Sequence, residues 1–390
     1  MTICLLMLGL AAWPWLGYPV WLWLLGQISP KDLKQRQEAF DNDSLPSVSV
    51  VVSAFNEADV IKEKLQNILA LDYPKSKIDC LVISDASDDG TDEIVAAFDA
   101  PNIRLARTAQ RRGKSAGLTT FVPECQQDIV VFTDANAIFQ SDAIQHLVKH
   151  FSDSKVGYVV GQQKYVQSAG DQVSESEGLY WKYETMLKRW ESRVDSVVGG
   201  DGAIYAIRRD LFKPLRDDDI NDFTNPLQII QNGYRGVYEP NAICFEHVAG
   251  SFGGEYQRKV RIVNRSFRAL VRERGAANPF CTGLFAFHLV SHKVLRWFTA
   301  FFLLAAWVIS GSYALAGQNT IAVILFAAQT FFYAVASMGL VERLRQYRLI
   351  SVPFYFCLGN LASANGILLY CIGRKFTTWN PDRVRTEVQQ

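Results

Sequence analysis

Apolar positions along the chain fall into two regimes. Residues 1 to 26 carry no charged side chain, and the run Ile3 to Leu25 is long enough to cross a bilayer as a helix. Its tryptophans Trp13, Trp15, Trp21 and Trp23 suit interfacial or lipid-facing positions. From residue 31 to 275 the pattern changes to short apolar runs set among charged residues. Beyond residue 280 it turns apolar again. The runs Phe298 to Ala316 and Ile321 to Leu340 read as two further spans. Val352 to Ile372 is equally apolar but holds Gly359, Asn360, Ser363 and Asn365. It reads as a third span or as a re-entrant or interfacial element. Phe280 to Val294 mixes apolar residues with His288, His292 and Lys293 and predicts an amphipathic helix at the membrane surface.

The middle region alternates in period. Val48 to Val52 is a β-branched run, hence a buried strand. Val60, Ile61, Leu65, Ile68 and Leu69 then recur on one helical face, and Tyr73-Pro74 ends that helix. Cys80 to Ile83, Ile103 to Leu105 and Asp128 to Phe132 follow as strands, with helices over Thr91 to Phe98 and Asp142 to Phe151. This order predicts an α/β fold, a largely parallel sheet with helices on both faces. Ligands of such sheets bind outside the carboxyl ends of the strands.

Charge places the chain relative to the membrane. Lys31, Lys34 and Arg36 follow the first span, and Arg343, Arg345 and Arg348 follow the third apolar run. Positive charge stays on the cytoplasmic side, so the middle region should lie in the cytoplasm, with the chain an integral protein of a bacterial inner membrane. The net charge of +1 gives no field that would gather nucleic acid. Seven scattered cysteines with no C-x-x-C pair argue against a disulfide framework or a structural zinc site, and reduced thiols suit that compartment.

Polar clusters follow three of the strands: Ala54-Phe55-Asn56-Glu57, Asp85-Ala86-Ser87-Asp88-Asp89-Gly90-Thr91 and Asp134-Ala135-Asn136. Any one of them could be a helix cap. Three at one edge of a sheet point to a binding crevice.

In order and spacing these motifs resemble family 2 glycosyltransferases of the GT-A fold. Within that family they are closest to the membrane-bound polysaccharide synthase branch near hyaluronan and poly-N-acetylglucosamine synthases. The resemblance implies a Rossmann-like cytoplasmic domain between N- and C-terminal transmembrane helices. The divisions would be 1–28 for the first span, 29–275 for the transferase domain, 276–294 for the interface helix, 295–373 for the remaining membrane segments and 374–390 for the tail. It implies that Ala54, Asn56, Glu57, Asp85 and Asp88 line a uridine pocket, and that Lys114 in Arg111-Arg112-Gly113-Lys114 meets the diphosphate or base. The family's D-x-D motif is Asp134-Ala135-Asn136 here, so Asp134 and Asn136 would bind magnesium or manganese. Tyr180, Trp181, Gly200, Asp201 and Gly202 fall at the acceptor side, and Arg258 and Arg261 at the pyrophosphate. Asp222, in Asn221-Asp222-Phe223, takes the position of the catalytic base. His247 and its neighbour Glu246 are candidates for a late metal ligand.

The activity implied is inverting, metal-assisted transfer from a UDP-sugar to a growing polysaccharide or to a lipid-linked acceptor, in exopolysaccharide or capsule synthesis. Few spans are present for an export channel, so a second copy or an export partner would complete one. A non-catalytic sugar-nucleotide sensor on the same fold is the reading from another class. Asn136 and Asn221 favour it, while Asp134, Asp222 and Arg261 oppose it.

Overall fold

A computed structural model describes residues 1–28, 45–166, 173–247, 252–317 and 319–378, with the side chains of 166, 173–180, 247 and 252–253 outside that description. The chain opens with α1 (Thr2–Ala12) and α2 (Tyr18–Ile28), joined by a π-helical turn at Trp13–Gly17. There follow β1 (Val48–Ala54), α3 (Ala58–Leu69), β2 (Ile78–Ser84), α4 (Thr91–Ala96), β3 (Ile103–Arg107), α5 (Lys114–Phe121), β4 (Ile129–Asp134) and β5 (Ala137–Phe139). Next come α6 (Ala143–Val148), β6 (Val156–Val166), α7 (Val173–Val194), β7 (Tyr205–Arg208), α8 (Asn221–Gln231), β8 (Arg235–His247) and α9 (Phe252–Arg272). The C-terminal part holds α10 (Pro279–Thr282), α11 (Leu284–Leu289), α12 (Leu295–Leu315), α13 (Thr320–Met338) and α14 (Arg348–Cys371).

One eight-stranded sheet has the order β3-β2-β1-β4-β7-β6-β8-β5. Its first four strands are parallel. β7 runs antiparallel to β4 and β6, β5 antiparallel to β8, and β6 parallel to β8. All seven residues of β1 are buried because both faces are covered. Val50, Val52, Cys80 and Val82 pack with Ile61, Leu65 and Ile68 of α3 on one face. Val51, Leu81, Ile83 and Phe132 pack with Leu118 of α5 and Leu227 of α8 on the other. The period of two along each strand thus feeds two separate cores. β5, β6 and β7 lack a clear strand signature in the sequence, being short or interrupted by glycine and glutamine.

Among the described residues, four helices are long and apolar enough to cross a membrane: Thr2–Ile28, Leu284–Leu315, Thr320–Met338 and Arg348–Cys371. The segment read as an interface helix holds α11 and a π-helical turn at Val290–Val294, and both continue into α12. His288 and His292 are buried rather than facing headgroups. α12 and α13 form a hairpin. Trp307 Nε1 donates to Thr330 Oγ1 at 2.9 Å, and Gly311 lies against Phe326. α14 lies along α9, where Gly366 faces the Val260 carbonyl and Asn264 Nδ2 donates to the Gly366 carbonyl at 3.1 Å. All seven cysteines are free thiols.

Candidate active site

The carboxyl ends of β1, β2 and β4 meet at one edge, with Ala54 opposite Ser84 and Ser53 opposite Asp134. Two loops there lock together. Asn56 Nδ2 donates to Asp88 Oδ1 at 2.8 Å, and the Asp88 amide returns a bond to Asn56 Oδ1 at 3.0 Å. Asn56 has φ +54, a left-handed conformation that asparagine tolerates. The Glu57 amide donates to Thr91 Oγ1 at 2.8 Å, and Glu57 is buried at the start of α3.

Asp85 is buried and accepts the Arg112 amide at 2.9 Å and the Gly113 amide at 2.7 Å. It therefore shapes the Arg111–Lys114 turn. Arg111 lies over the Phe55 ring, 3.7 Å from its centroid. A crevice lined by Ala54, Phe55, Asp85, Gly113 and Lys114 opens between these loops. Gly113 has φ +99, and a Cβ there would collide with the Thr377 carbonyl. The segment after α14 thus runs back to the rim of the crevice.

Deeper in, Lys114 Nζ pairs with Asp134 Oδ1 at 2.6 Å. Asn136 Nδ2 donates to Glu246 Oε1 at 2.8 Å, and Gln163 Nε2 bonds Glu246 Oε2. Burial, reinforced by the charge of Asp134, pushes the Glu246 carboxyl up to about 7. Asp222 lies in the first turn of α8 and is half-buried. Burial raises its pKa above the usual carboxylate range, and Asp201 and Asp134 add to this while Lys114 opposes it. Its Oδ1 is buried with no hydrogen-bond partner among the described residues. Gly202 faces both central acids. A Cβ placed on it would lie 3.3 Å from Asp222 Oδ2 and 3.8 Å from Asp134 Oδ2. Asp134 and Asp222, 88 positions apart in sequence, therefore border one small space.

The residues expected at the acceptor side are held from below. The Gly200 amide donates to the Asp222 carbonyl at 2.5 Å, and Lys188 Nζ reaches Asp201 Oδ2 at 3.2 Å. The Trp181 ring packs on Tyr165 with centroids 5.1 Å apart. The side chains of Tyr180 and His247 lie outside the described residues. On α9, Arg258 pairs with Glu255 at 2.7 Å and is exposed, while Arg261 is half-buried one turn on.

Three residues stand out that the motifs do not mark. Arg265 NH2 lies 3.2 Å from Ser115 Oγ and also bonds the Asp219 carbonyl. Arg272 grips Asp218 and Asp219, each at 2.6 Å. Tyr205 OH accepts from Asn221 Nδ2 at 2.8 Å and from Asn225 Nδ2 at 3.0 Å. Asn221, next to Asp222 in the chain, thus serves as a hydrogen-bond donor to Tyr205. The arginine spacing on α9 was the available signal. The tyrosine had none, because only folding brings β7 under α8.

Among the described residues no three His, Cys, Asp or Glu side chains converge to hold a metal ion. The donor chemistry nevertheless fits a divalent cation shared with a diphosphate. Asp134 and the Asn136 carbonyl oxygen are hard donors. The buried Asp222 Oδ1 and the raised Glu246 carboxyl mark a space with surplus negative charge.

Residues 49–216 match the family described as Glycosyl transferase family 2. The chain is 24% identical over 281 residues to poly-beta-1,6-N-acetyl-D-glucosamine synthase from Staphylococcus aureus, covering 66% of each chain. Against the synthase of the same name from Staphylococcus epidermidis the identity is 22% over 281 residues. The match thus spans 66% of these relatives' length, just under two thirds. Among solved structures, a mannosyltransferase from Pyrobaculum calidifontis in complex with GDP-Man and Mn2+ superposes with a TM-score of 0.67 and 25% identity. That superposition covers 93% of this chain and 98% of the other.

Proposed function

We propose that this chain, a glycosyltransferase with a family 2 domain over residues 49–216 on a GT-A fold, transfers sugar from a UDP-sugar to a growing saccharide at the membrane with inversion at the anomeric carbon. The observation that carries this is the pair Asp134 and Asp222 facing one space across Gly202. Asp222 is the general base. Its raised carboxyl holds a proton more readily than a solvent-exposed aspartate, which suits it to take one from an acceptor hydroxyl. The proton moves to Asp222 as the hydroxyl oxygen bonds to the anomeric carbon and the bond to the diphosphate oxygen breaks. No covalent intermediate on the chain is required.

Asp134 and Asn136 would hold a magnesium or manganese ion, which when bound stabilises charge on the departing diphosphate. Lys114, 2.6 Å from Asp134, supplies a fixed positive charge at the same place. Arg258 and Arg261 lie on the helix that closes this side. Asn56, Glu57, Asp85 and Asp88 build the wall for the base and ribose. The polymer reading follows the synthases that the chain resembles. A lipid-linked acceptor is the second reading, favoured by the direct contact of the acceptor-side helix α7 with membrane helices. The transferase domain faces the cytoplasm in this proposal, on the strength of the lysines and arginines that flank the spans.

The test is product formation by the purified full-length chain, with labelled UDP-N-acetylglucosamine and GDP-mannose offered in parallel with manganese. UDP-sugar turnover with a β-linked product supports the reading, whereas turnover of GDP-mannose alone overturns the donor assignment. Asp222→Asn should lower turnover roughly 100- to 10,000-fold while leaving donor binding intact. Because the deprotonated form acts, the wild-type rate should fall as pH drops through the raised Asp222 pKa. Retained turnover in Asp222→Asn would remove the base from the mechanism.

A further inference from the structure

The loop Gly199–Gly202 is tied on its lower side to one face of α7, which carries Glu184, Lys188 and Glu191 at helical spacing. Glu191 is fully buried. Its Oε2 accepts the Val198 amide at 3.0 Å, at the entry to the loop. Its Oε1 accepts from Tyr18 OH of α2 at 2.7 Å and lies 2.6 Å from His292 Nδ1. One carboxylate thus joins the acceptor loop to two membrane helices. Lys188, four-fifths of a turn earlier on the same face, fixes Asp201 inside the loop. Glu184 completes the row. Its Oε2 lies 3.2 Å from His292 Nε2 and 3.5 Å from Lys293 Nζ, and Oε1 pairs with Arg296.

Both membrane partners depart from α-helical form at this level. The π-helical turns Trp13–Gly17 and Val290–Val294 meet here, with Trp13 Nε1 donating to Ser291 Oγ at 3.0 Å and Tyr183 OH donating to the Pro14 carbonyl at 2.5 Å. Such turns cluster at functional sites because they re-aim side chains.

We propose that Lys188 and Glu191 are positioning residues that hold the acceptor loop against Asp222, with membrane helices α2 and α12 as the fixed frame. The Gly200 amide, bonded to the Asp222 carbonyl, is the point where that hold reaches the base. The place of the loop beside Asp222 is thereby set relative to the bilayer. This rests on the transferase reading above.

The experiment uses the full-length chain in lipid nanodiscs, with UDP-N-acetylglucosamine as donor and a β-1,6-linked N-acetylglucosamine oligosaccharide as acceptor. Lys188→Met, Lys188→Arg and Tyr18→Phe are compared with wild type. Tyr18→Phe removes one donor to Glu191 with little change in shape. Lys188→Met and Tyr18→Phe should raise the acceptor KM or lower acceptor-dependent turnover ~10- to ~100-fold, with the donor dissociation constant unchanged. Lys188→Arg should restore most of the loss. Amide hydrogen exchange at Val198 and Gly200 should speed up in both impaired variants. Unchanged acceptor parameters in folded Lys188→Met, or equal losses for donor and acceptor, would overturn the proposal. If wild type transfers no sugar between this donor and acceptor, the donor and acceptor assignment fails instead, and unchanged exchange at Val198 and Gly200 still decides against the hold.

Discussion

Lys64 illustrates how a single residue can support a site that it never touches. It lies within the helix pattern of α3, where an amphipathic count would place it at the interface. In the fold it is fully buried beneath the Asp134–Asn136 turn. Its Nζ donates to Thr133 Oγ1 at 3.0 Å and to the Ala137 carbonyl, and sits 3.8 Å from the Phe139 ring centroid. Burial lowers its pKa to about 8. The unfolded chain keeps this proton up to about pH 10.4, so between these values the unfolded state binds more protons and stability rises with pH. Wild type should therefore gain on the order of 3 kcal/mol over Lys64→Met between pH 8 and pH 10.5. Chemical unfolding at a series of pH values measures this, and parallel curves for the two proteins would contradict it. Gly202 gives a second prediction at this scale. Gly202→Ala puts a methyl group between Asp134 and Asp222, so donor turnover should drop about tenfold or more while the unfolding midpoint barely moves.

Among the elements, α9 and α14 behave as a pair. α9 sends Arg265 and Arg272 to the segment that leads into Asp222, and Arg268 to Asp218. α14 braces the opposite side of α9. Asn365 Nδ2 donates to Tyr256 OH at 3.2 Å, and a Cβ on Gly366 would lie 2.8 Å from the Val260 carbonyl oxygen. Gly366→Val must push the helices apart. We expect a loss of about 1 to 3 kcal/mol in stability and weaker turnover, because the arginine row moves with α9. An unchanged melting temperature in detergent would show that the helices give way at no cost. The sequence marked Arg258 and Arg261 on this helix by motif. It did not mark Arg265, because its value depends on α5 and the 218–222 segment arriving beside it.

Over the whole molecule, the unsettled question was the run Val352 to Ile372, since Arg374 and Lys375 would sit outside if it crossed. The contacts of α14 favour a course along the membrane rather than across it. The α12–α13 hairpin begins and ends on the side of the transferase domain, so α14 starts there. α14 also finishes there. The Arg374 carbonyl accepts from Arg268 NH2 at 3.0 Å, and Thr377 lies against Gly113 at the rim of the crevice. With both ends on one side, Arg374 and Lys375 would join Arg343, Arg345 and Arg348 in obeying the charge rule. Cys371 is exposed at the end of α14 and provides the test. In a variant keeping only that thiol, a membrane-impermeant maleimide should label it only from the side that carries the transferase domain. Labelling from the opposite side would place α14 across the bilayer.

Local pattern was enough for the strands at the crevice edge and for the apolar helices. β1, β2 and β4 are β-branched runs whose polar ends are read directly, and spans need only length and hydropathy. Asp134 and Asp222 were each marked by a short motif. What the chain could not state is that Gly202 sets them against one space, that Asn221 serves Tyr205, or that Glu191 bonds the apolar helices and the segment entering Gly199–Gly202 together. Those relations join residues tens to hundreds of positions apart. Periodicity reports which face of an element is buried, whereas only packing decides which partner buries it.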